Sequence, residues 1–201
     1  GAPSGVQGTI SVWVTQDENG KYLMDASNGS RTLMYRGGAG TGTDSFGVYL
    51  NQTSVGSVNA ALVPDDGSWT HVAMVWDNSL NTEKQKFYRN GELFATGNAT
   101  VSARDPANVY LGSRFSLNEG WGGKMDEYAL WSSPLPPEQV YWLAHNSLST
   151  LDAITTPPPV PVSGWLLDEG SGTQLNQWKG PRTGEIGGNT GVAAPSWSTD
   201  T

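Results

Sequence analysis

The chain of 201 residues is acidic, with 19 Asp and Glu against 11 Lys and Arg and a formal net charge of -8. This balance argues against sequence-independent binding of nucleic acid or of an anionic membrane, because both need patches of Lys and Arg. The absence of cysteine excludes disulfides and thiolate metal sites, and no apolar run approaches the roughly 20 residues that cross a bilayer.

The first part of the chain predicts short β-strands joined by turns, as its many Gly, Pro, Ser, Thr and Asn residues also indicate. In residues 9–15, TISVWVT, aliphatic side chains alternate with Ser, Trp and Thr. This pattern predicts a half-buried strand that puts Trp13 either in the core or on an open binding face. Residues 37–44, GGAGTGTD, predict a surface loop. Further strands are expected at residues 22–25, 31–36, 46–50 and 57–63.

The most regular pattern lies in the middle of the chain. Residues 69–77 are apolar on both alternating faces, which predicts a central strand covered on both sides. Residues 85–89 and 92–96 predict a hairpin, because Asn90 and Gly91 supply the positive φ values of a type I′ turn.

Two more strands and a helix follow. The strands are expected at residues 109–113 and 124–131. In the second, strict alternation puts Asp126 and Glu127 on opposite faces of the sheet. Residues 135–146 predict one short helix, which begins with proline in its first turn and carries an apolar stripe.

Three motifs resemble those of the laminin G-like, concanavalin A-like jelly-roll family: W-x-H-V-A from Trp69, Y-x-N-G-E from Tyr88 and G-K-(I/M)-D-E from Gly123, in this order. The resemblance implies an all-β fold, a two-sheet antiparallel jelly-roll sandwich of the concanavalin A-like type with one short helix. It also implies glycan or protein binding at the loop rims, without naming the ligand.

The C-terminal part departs from the family's order. Residues 5–150 form the expected jelly-roll core and residues 151–162 a proline-rich linker. Residues 163–201 begin with SGWLLDEGSGT, which resembles the first strand of a laminin G-like repeat. Three arrangements follow: the segment completes its own sandwich as a circular permutation, it completes a neighbouring copy head to tail, or it opens a truncated second repeat. The extended linker is long enough for the first arrangement, so we expect a permuted or strand-completed sandwich.

The titratable residues give little support for catalysis. His71 lies in the W-x-H-V-A strand, where the resemblance implies a structural histidine, and His145 falls at the helix end, where it can complement the dipole. Retaining glycosidases on related jelly rolls use E-x-D-x-(x)-E to bring carboxylates on one strand face to about 5 Å. Residues 124–128, KMDEY, do not match, because Asp126 and Glu127 are expected to diverge. We therefore expect no catalytic residue and no enzyme.

Calcium is the cofactor that the acidic composition favours, since it takes oxygen ligands. If the C-terminal segment pairs with the D-E strand, Asp168 comes near Asp126, and Glu169 follows it. We expect Asp126, Asp168 and Glu169 as the metal ligands. The alternative is solvated carboxylates paired with Lys124 or Arg182.

Sugar recognition needs aromatic faces with polar groups beside them, and nine Trp exceed the evident needs of the core. The candidate contact residues are Trp121, between two glycines, Tyr35 and Arg36, beside the glycine-rich loop, and Trp13. For Trp121 the alternative is a structural role, because the resemblance implies an aromatic residue tucked under a loop at this point.

The sequence thus predicts a non-catalytic carbohydrate-binding or adhesion module of a secreted, extracellular protein, with a glycan or an extracellular protein as partner. The alternative is a structural subunit of an extracellular filament or surface layer, whose C-terminal segment completes the neighbouring subunit. A polysaccharide-active enzyme is the third hypothesis.

Overall fold

The computed structural model describes residues 7–15, 22–26, 34–36, 45–50, 53–59, 66–98, 100, 109–112, 121–153, 158–159, 161, 163–167, 174–175, 177–179 and 184–185. The expected loop at residues 37–44 and the predicted ligands Asp168 and Glu169 lie outside these residues.

Short strands dominate the described residues. They are β1 (Gln7–Val14), β2 (Tyr22–Ala26), β3 (Met34–Arg36), β4 (Ser45–Leu50), β5 (Thr53–Asn59), β6 (Thr70–Asp77), β7 (Gln85–Arg89), β8 (Glu92–Gly97), β9 (Val109–Leu111), β10 (Met125–Trp131), β11 (Ser163–Trp165), β12 (Gln174–Leu175), β13 (Gln177–Lys179) and β14 (Gly184–Glu185). The helices are α1 (Pro137–Leu143) and a 3-10 helix, η1 (Leu148–Ala153).

The strands pair antiparallel in two large sheets. The first sheet has the order β13-β11-β10-β1-β6-β7-β8 and the second β5-β4-β3-β2-β9, while β12 and β14 form a separate two-stranded ribbon. Between the sheets lies a core to which alternate residues of β1 contribute, among them Val12 and Val14, together with Leu23 of β2, all 0% exposed. The antiparallel all-β sandwich with one short α-helix is therefore confirmed.

The outer face of the seven-stranded sheet carries a second core under α1 and η1. Ala73, Ala129 and Trp131 of the sheet pack there with Val140 and Leu143 of the helix. The central strand β6 is thus buried on both faces, as its doubly apolar pattern predicts.

The helix is shorter than the twelve residues expected at 135–146. It begins at Pro137 and is capped at Ala144. At its end, the Asn146 side-chain amide donates a hydrogen bond of 2.9 Å to the Trp142 carbonyl. That carbonyl would accept the backbone N–H of residue 146 in a longer helix. Among the described residues, no helix has the length and apolar character needed to cross a membrane.

The C-terminal segment joins the seven-stranded sheet in this structure. β11 runs antiparallel to β10, with Trp165 opposite Tyr128, and Trp165 is 4% exposed within the core between the sheets. The segment therefore occupies a strand position of this chain's own sandwich. The choice between this arrangement in solution and completion of a neighbouring copy stays a prediction.

Candidate functional site

A β-bulge in β10 changes the expected direction of one acidic side chain. β1 and β10 pair at Ser11 and Ala129, and the pairing resumes with Trp13 opposite Asp126, so β10 holds one extra residue. Glu127 lies at this point with a positive φ of 48°. The expectation that Asp126 and Glu127 lie on opposite faces is therefore wrong: the bulge interrupts the alternation, so that Asp126 pairs with Trp13 while the Glu127 carboxylate bonds to Ser147 of the same cleft.

The cleft has a volume of about 490 Å³ and lies where β1, β6 and β10 meet the end of α1. β1 pairs with both neighbours here, so that Trp13 stands opposite Asp126 on one side and His71 on the other. The residues that line the cleft are Trp13, Trp69, Asp126, Glu127, Ala144, His145, Asn146 and Ser147.

Two tryptophans give the cleft its aromatic surface. Trp69 directly precedes β6 and is 41% exposed. Trp13 is half-buried and meets the ring of His71 edge to face, with centroids 5.4 Å apart. The cleft thus offers one accessible indole beside one that is fixed against the sheet.

His71 lies beneath this aromatic surface and is 1% exposed. Its Nε2 is 2.8 Å from the Ser11 hydroxyl, and its backbone N–H donates to the Asn90 side chain at 2.9 Å. Burial, with a smaller contribution from His145, lowers the pKa of His71 to about 3. The imidazole is therefore neutral at ordinary pH and joins β1 to β6.

Glu127 connects the bulge to the beginning of η1. Its carboxylate accepts hydrogen bonds from the Ser147 hydroxyl and from the Leu148 backbone N–H. Burial raises the pKa of Glu127 above its ordinary value; these two hydrogen bonds oppose the rise, and the charge of Asp126 adds to it. Asp126 in turn accepts the Glu127 backbone N–H at 2.7 Å, which holds the bulge in place.

The end of α1 forms one wall of the cleft. His145 stacks on Tyr141, with ring centroids 4.0 Å apart and planes 22° from parallel. Its Nδ1 donates to the Tyr141 carbonyl at 2.7 Å. His145 thus stands at the helix end, as expected, and Tyr141 is 49% exposed beside it.

The predicted contact residues do not lie together. Trp13 lines the cleft, whereas Tyr35 and Arg36 belong to β3 in the five-stranded sheet. Trp121 is half-buried against the core between the sheets, and its indole N–H donates to the Thr15 carbonyl at 2.9 Å. These contacts correspond to the structural alternative for Trp121; its role in ligand binding stays a prediction.

The predicted calcium site is represented only by Asp126 among the residues described. No group of three or more His, Asp or Glu side chains there is arranged to hold a metal ion. The calcium prediction therefore depends on Asp168 and Glu169, and it stays a prediction.

Of the eight described residues that line the cleft, only Trp13 and Asp126 were predicted as site residues, so sequence reasoning missed Trp69, Glu127, Ala144, His145, Asn146 and Ser147. The apolar pattern places Trp69 in a doubly covered strand, but this residue follows the PDDG turn at residues 64–67 almost directly. Because connecting segments run over the protein surface, a large aromatic at the junction of a turn and a strand is a candidate for the rim of the sheet. No comparable signal marks Asn146 or Ser147.

The sequence profile of the concanavalin A-like lectin/glucanases superfamily matches residues 3–141. The chain belongs to this superfamily, and the motifs from Trp69 to Glu127 lie within the matched region. No curated protein matches the chain in sequence.

Several solved structures share the fold at about one-fifth sequence identity. A Bacteroides ovatus protein to which carbohydrate binding is ascribed has a TM-score of 0.64 at 20% identity, over 89% of this chain and 52% of its own. The heptameric SAP-like pentraxin of Limulus polyphemus has a TM-score of 0.58 at 20% identity, over 92% and 85%. The CBM40 module of the Ruminococcus gnavus IT-sialidase, bound to α2,3-sialyllactose, has a TM-score of 0.53 at 20% identity, over 71% and 84%. The chain thus spans about half the length of the Bacteroides protein, and these likenesses show the fold.

Proposed function

We propose that this chain is a non-catalytic carbohydrate-binding module and that the cleft beside Trp69 is its sugar site. The observation that carries the proposal is an exposed indole, 41% accessible, at the rim of a cleft that polar side chains also line. An indole face packs against the C–H face of a pyranose ring, and the polar groups beside it bind the hydroxyls.

The polar groups of the cleft suit sugar hydroxyls. His145 brings an imidazole on the exposed helix end, Asn146 an amide and Ser147 a hydroxyl. Most of these side chains are held by bonds within the protein, such as the Asn146 amide to the Trp142 carbonyl. The site is therefore largely preformed, which lowers the entropic cost of binding.

The fold relatives support the sugar proposal without deciding it. The Ruminococcus module is named as bound to sialyllactose, and a domain of a Geobacillus stearothermophilus arabinanase, with a TM-score of 0.53 at 22% identity, is named as a complex with arabinotriose. Fold alone does not determine function, so the proposal depends mainly on the residues of the cleft.

The same cleft supports binding rather than catalysis. The Glu127 carboxylate is engaged by Ser147 and Leu148, and Asp126 holds the bulge through the Glu127 N–H. A general acid or nucleophile needs its oxygen directed at the substrate. Both carboxylates here already accept hydrogen bonds from groups of the protein. Secretion, an adhesive role and bound calcium are further parts of the proposal.

The direct test replaces Trp69 by alanine. Trp69→Ala should lower affinity for the bound glycan by about tenfold, because one stacking face is lost. Leu93→Ala is the matched control, since Leu93 is also exposed, at 53%, but lies on β8 away from the cleft. Glycan-array screening followed by calorimetry on the selected oligosaccharide measures both variants, with circular dichroism to verify folding.

Two results would overturn the proposal. Equal affinity of the folded Trp69→Ala variant and the wild type would remove the cleft as the sugar site. Release of reducing ends during prolonged incubation with glycans, lost in Asp126→Ala, would show an enzyme instead of a binding module.

A further inference from the structure

A second exposed aromatic side chain lies beside the cleft, on α1. Tyr141 is 49% exposed. The residues that attach this helix to the sheet are others: Val140 and Leu143 are 0% and 1% exposed and belong to the core under α1. The Tyr141 ring therefore adds little to that core, and much of its surface faces solvent.

His145 joins Tyr141 to the cleft. It lines the cleft, and its ring stacks on that of Tyr141 with centroids 4.0 Å apart and planes 22° from parallel. Its Nδ1 also donates to the Tyr141 carbonyl at 2.7 Å, which fixes the orientation of the imidazole. The aromatic surface of the cleft consequently continues over His145 to the exposed part of Tyr141.

The hairpin turn between β7 and β8 joins Tyr141 to the other side of the cleft. The His71 carbonyl accepts the Asn90 backbone N–H at 2.8 Å, and the His71 N–H donates to the Asn90 side chain at 2.9 Å. Trp69 lies two residues before His71. Gly91 follows Asn90, and a Cβ there would lie 2.9 Å from the Tyr141 Cα. The two exposed rings are therefore held around one turn, at the same end of the seven-stranded sheet.

Tyr141 has the properties of a platform for a sugar unit. Its ring packs against C–H surfaces, and its hydroxyl both donates and accepts hydrogen bonds. The stack on His145 and the close approach of Gly91 hold the side chain in place. A ring that is fixed before the ligand arrives loses little conformational entropy on binding. Tyr141 thus offers a preformed second contact beyond the one at Trp69.

Resting on the proposed sugar site, we infer that this site extends past the cleft and that Tyr141 binds a further unit of the same glycan chain. The ligand is then a linear oligosaccharide or polysaccharide, bound over several units, and not a single terminal sugar. It is also a neutral chain, because the net charge of -8 repels acidic polymers during approach.

The experiment measures how affinity depends on the length of the glycan. The probes are the disaccharide and the hexasaccharide of three neutral chains: β-1,4-glucan, β-1,4-xylan and α-1,5-arabinan. Calorimetry gives the dissociation constant of each. In the series that binds, the hexasaccharide should bind the wild type about tenfold more tightly than the disaccharide, because only the longer chain contacts both rings at once.

Tyr141→Ala tests the ring. The ratio of hexasaccharide to disaccharide affinity should fall about fivefold below that of the wild type, since the second platform is lost. A hexasaccharide also offers more disaccharide positions, but this statistical gain is the same in both proteins and cancels in the comparison. Tyr141→Phe retains the ring and should retain most of the ratio.

Two controls separate binding from structure. Leu93→Ala removes another exposed side chain, 53% accessible on β8, and should leave the ratio unchanged. If Tyr141 acted only by supporting His145, Tyr141→Ala would weaken both lengths equally and the ratio would stay at the wild-type value. Circular dichroism verifies that α1 is retained in each variant.

The outcomes distinguish this inference from the proposed function. Binding that is lost in Trp69→Ala but has the same length ratio in wild type and Tyr141→Ala would leave the sugar site intact and overturn its extension. Trp69-dependent binding of an array glycan, with none of the three chains bound, would have the same meaning. Binding of no probe and of no array glycan would overturn the proposed function together with this inference.

Discussion

His71 shows how a single buried side chain makes stability depend on pH. It is 1% exposed, and its Nε2 contacts the Ser11 hydroxyl. Its Nδ1 has no hydrogen-bond partner in the part of the chain that the structure describes. Burial of the charged imidazolium, with a smaller contribution from His145, is the physical reason why the pKa of His71 falls to about 3.

The lowered pKa of His71 predicts that this residue makes the protein less stable in acid. Below the ordinary value of 6.5 the unfolded chain takes up a proton on this residue, whereas the folded chain does so only near pH 3. Stability therefore decreases as the pH falls through this window, by about 1.4 kcal/mol per pH unit from this group. His71→Gln cannot titrate, so urea unfolding between about pH 7.5 and pH 4.5 should show a shallower decline than in the wild type. Parallel declines of the two proteins would contradict the assignment.

At the scale of elements, the β7–β8 hairpin supports α1. Gly91 in the hairpin turn has a φ of 83°. A Cβ at this position would lie 2.9 Å from the Tyr141 Cα and 3.2 Å from the Ala144 Cβ. The turn thus approaches the helix backbone so closely that only glycine fits, and Ala144 is itself a cleft residue.

Gly91→Ala should therefore displace the helix as well as strain the turn. Gly67→Ala is the control, because Gly67 also has a positive φ, of 72°, and a Cβ added there would have no atom within 4 Å. Both variants carry the strain of a left-handed alanine, about 1–2 kcal/mol, but only Gly91→Ala adds the collision. Calorimetry should give Gly91→Ala a melting temperature at least about 5 °C below that of Gly67→Ala. Equal melting temperatures of the two variants would show that α1 moves away from the added methyl group without loss of stability.

The elements that the sequence predicts well are those with local causes. The Asn90-Gly91 turn has φ values of 49° and 83°, as the type I′ prediction requires. The central strand expected at 69–77 is β6, Thr70–Asp77, because a doubly apolar run is recognisable without its partners. Turn chemistry and the alternation of apolar residues depend on residues that are neighbours in the chain, so both can be recognised in a single sequence.

The cleft is harder to predict, because it combines residues distant in sequence. Glu127 adopts a positive φ without glycine, and the contact with Ser147, twenty residues later, holds it. Nothing in KMDEY signals that contact, so strict alternation gives the wrong face for one carboxylate. Trp13, Trp69 and Asp126 meet only because β1 pairs with both β6 and β10, and strand order is not visible in local patterns.

At the scale of the whole molecule, the C-terminal strand determines whether the sandwich is closed by its own chain. Trp165 of β11 lies in the core between the sheets, with its ring centroid 6.2 Å from that of Tyr128. β11 also separates β10 from β13 at the edge of the seven-stranded sheet. Removal of this indole would open the inter-sheet core, whichever copy supplies it.

Trp165→Ala should lower the free energy of unfolding by about 3–5 kcal/mol, as large truncations in a core do. Trp69→Ala is the matched control, since the same substitution at a residue 41% exposed leaves the core intact. If the chain closes its own sandwich, light scattering should give a monomer of 21.4 kDa and the melting temperature should not vary with concentration. Completion of a neighbouring copy makes the strand a ligand in trans, so size and melting temperature would both rise with concentration. That result would assign the C-terminal segment to assembly and favour the structural-subunit function over a monomeric sugar-binding module.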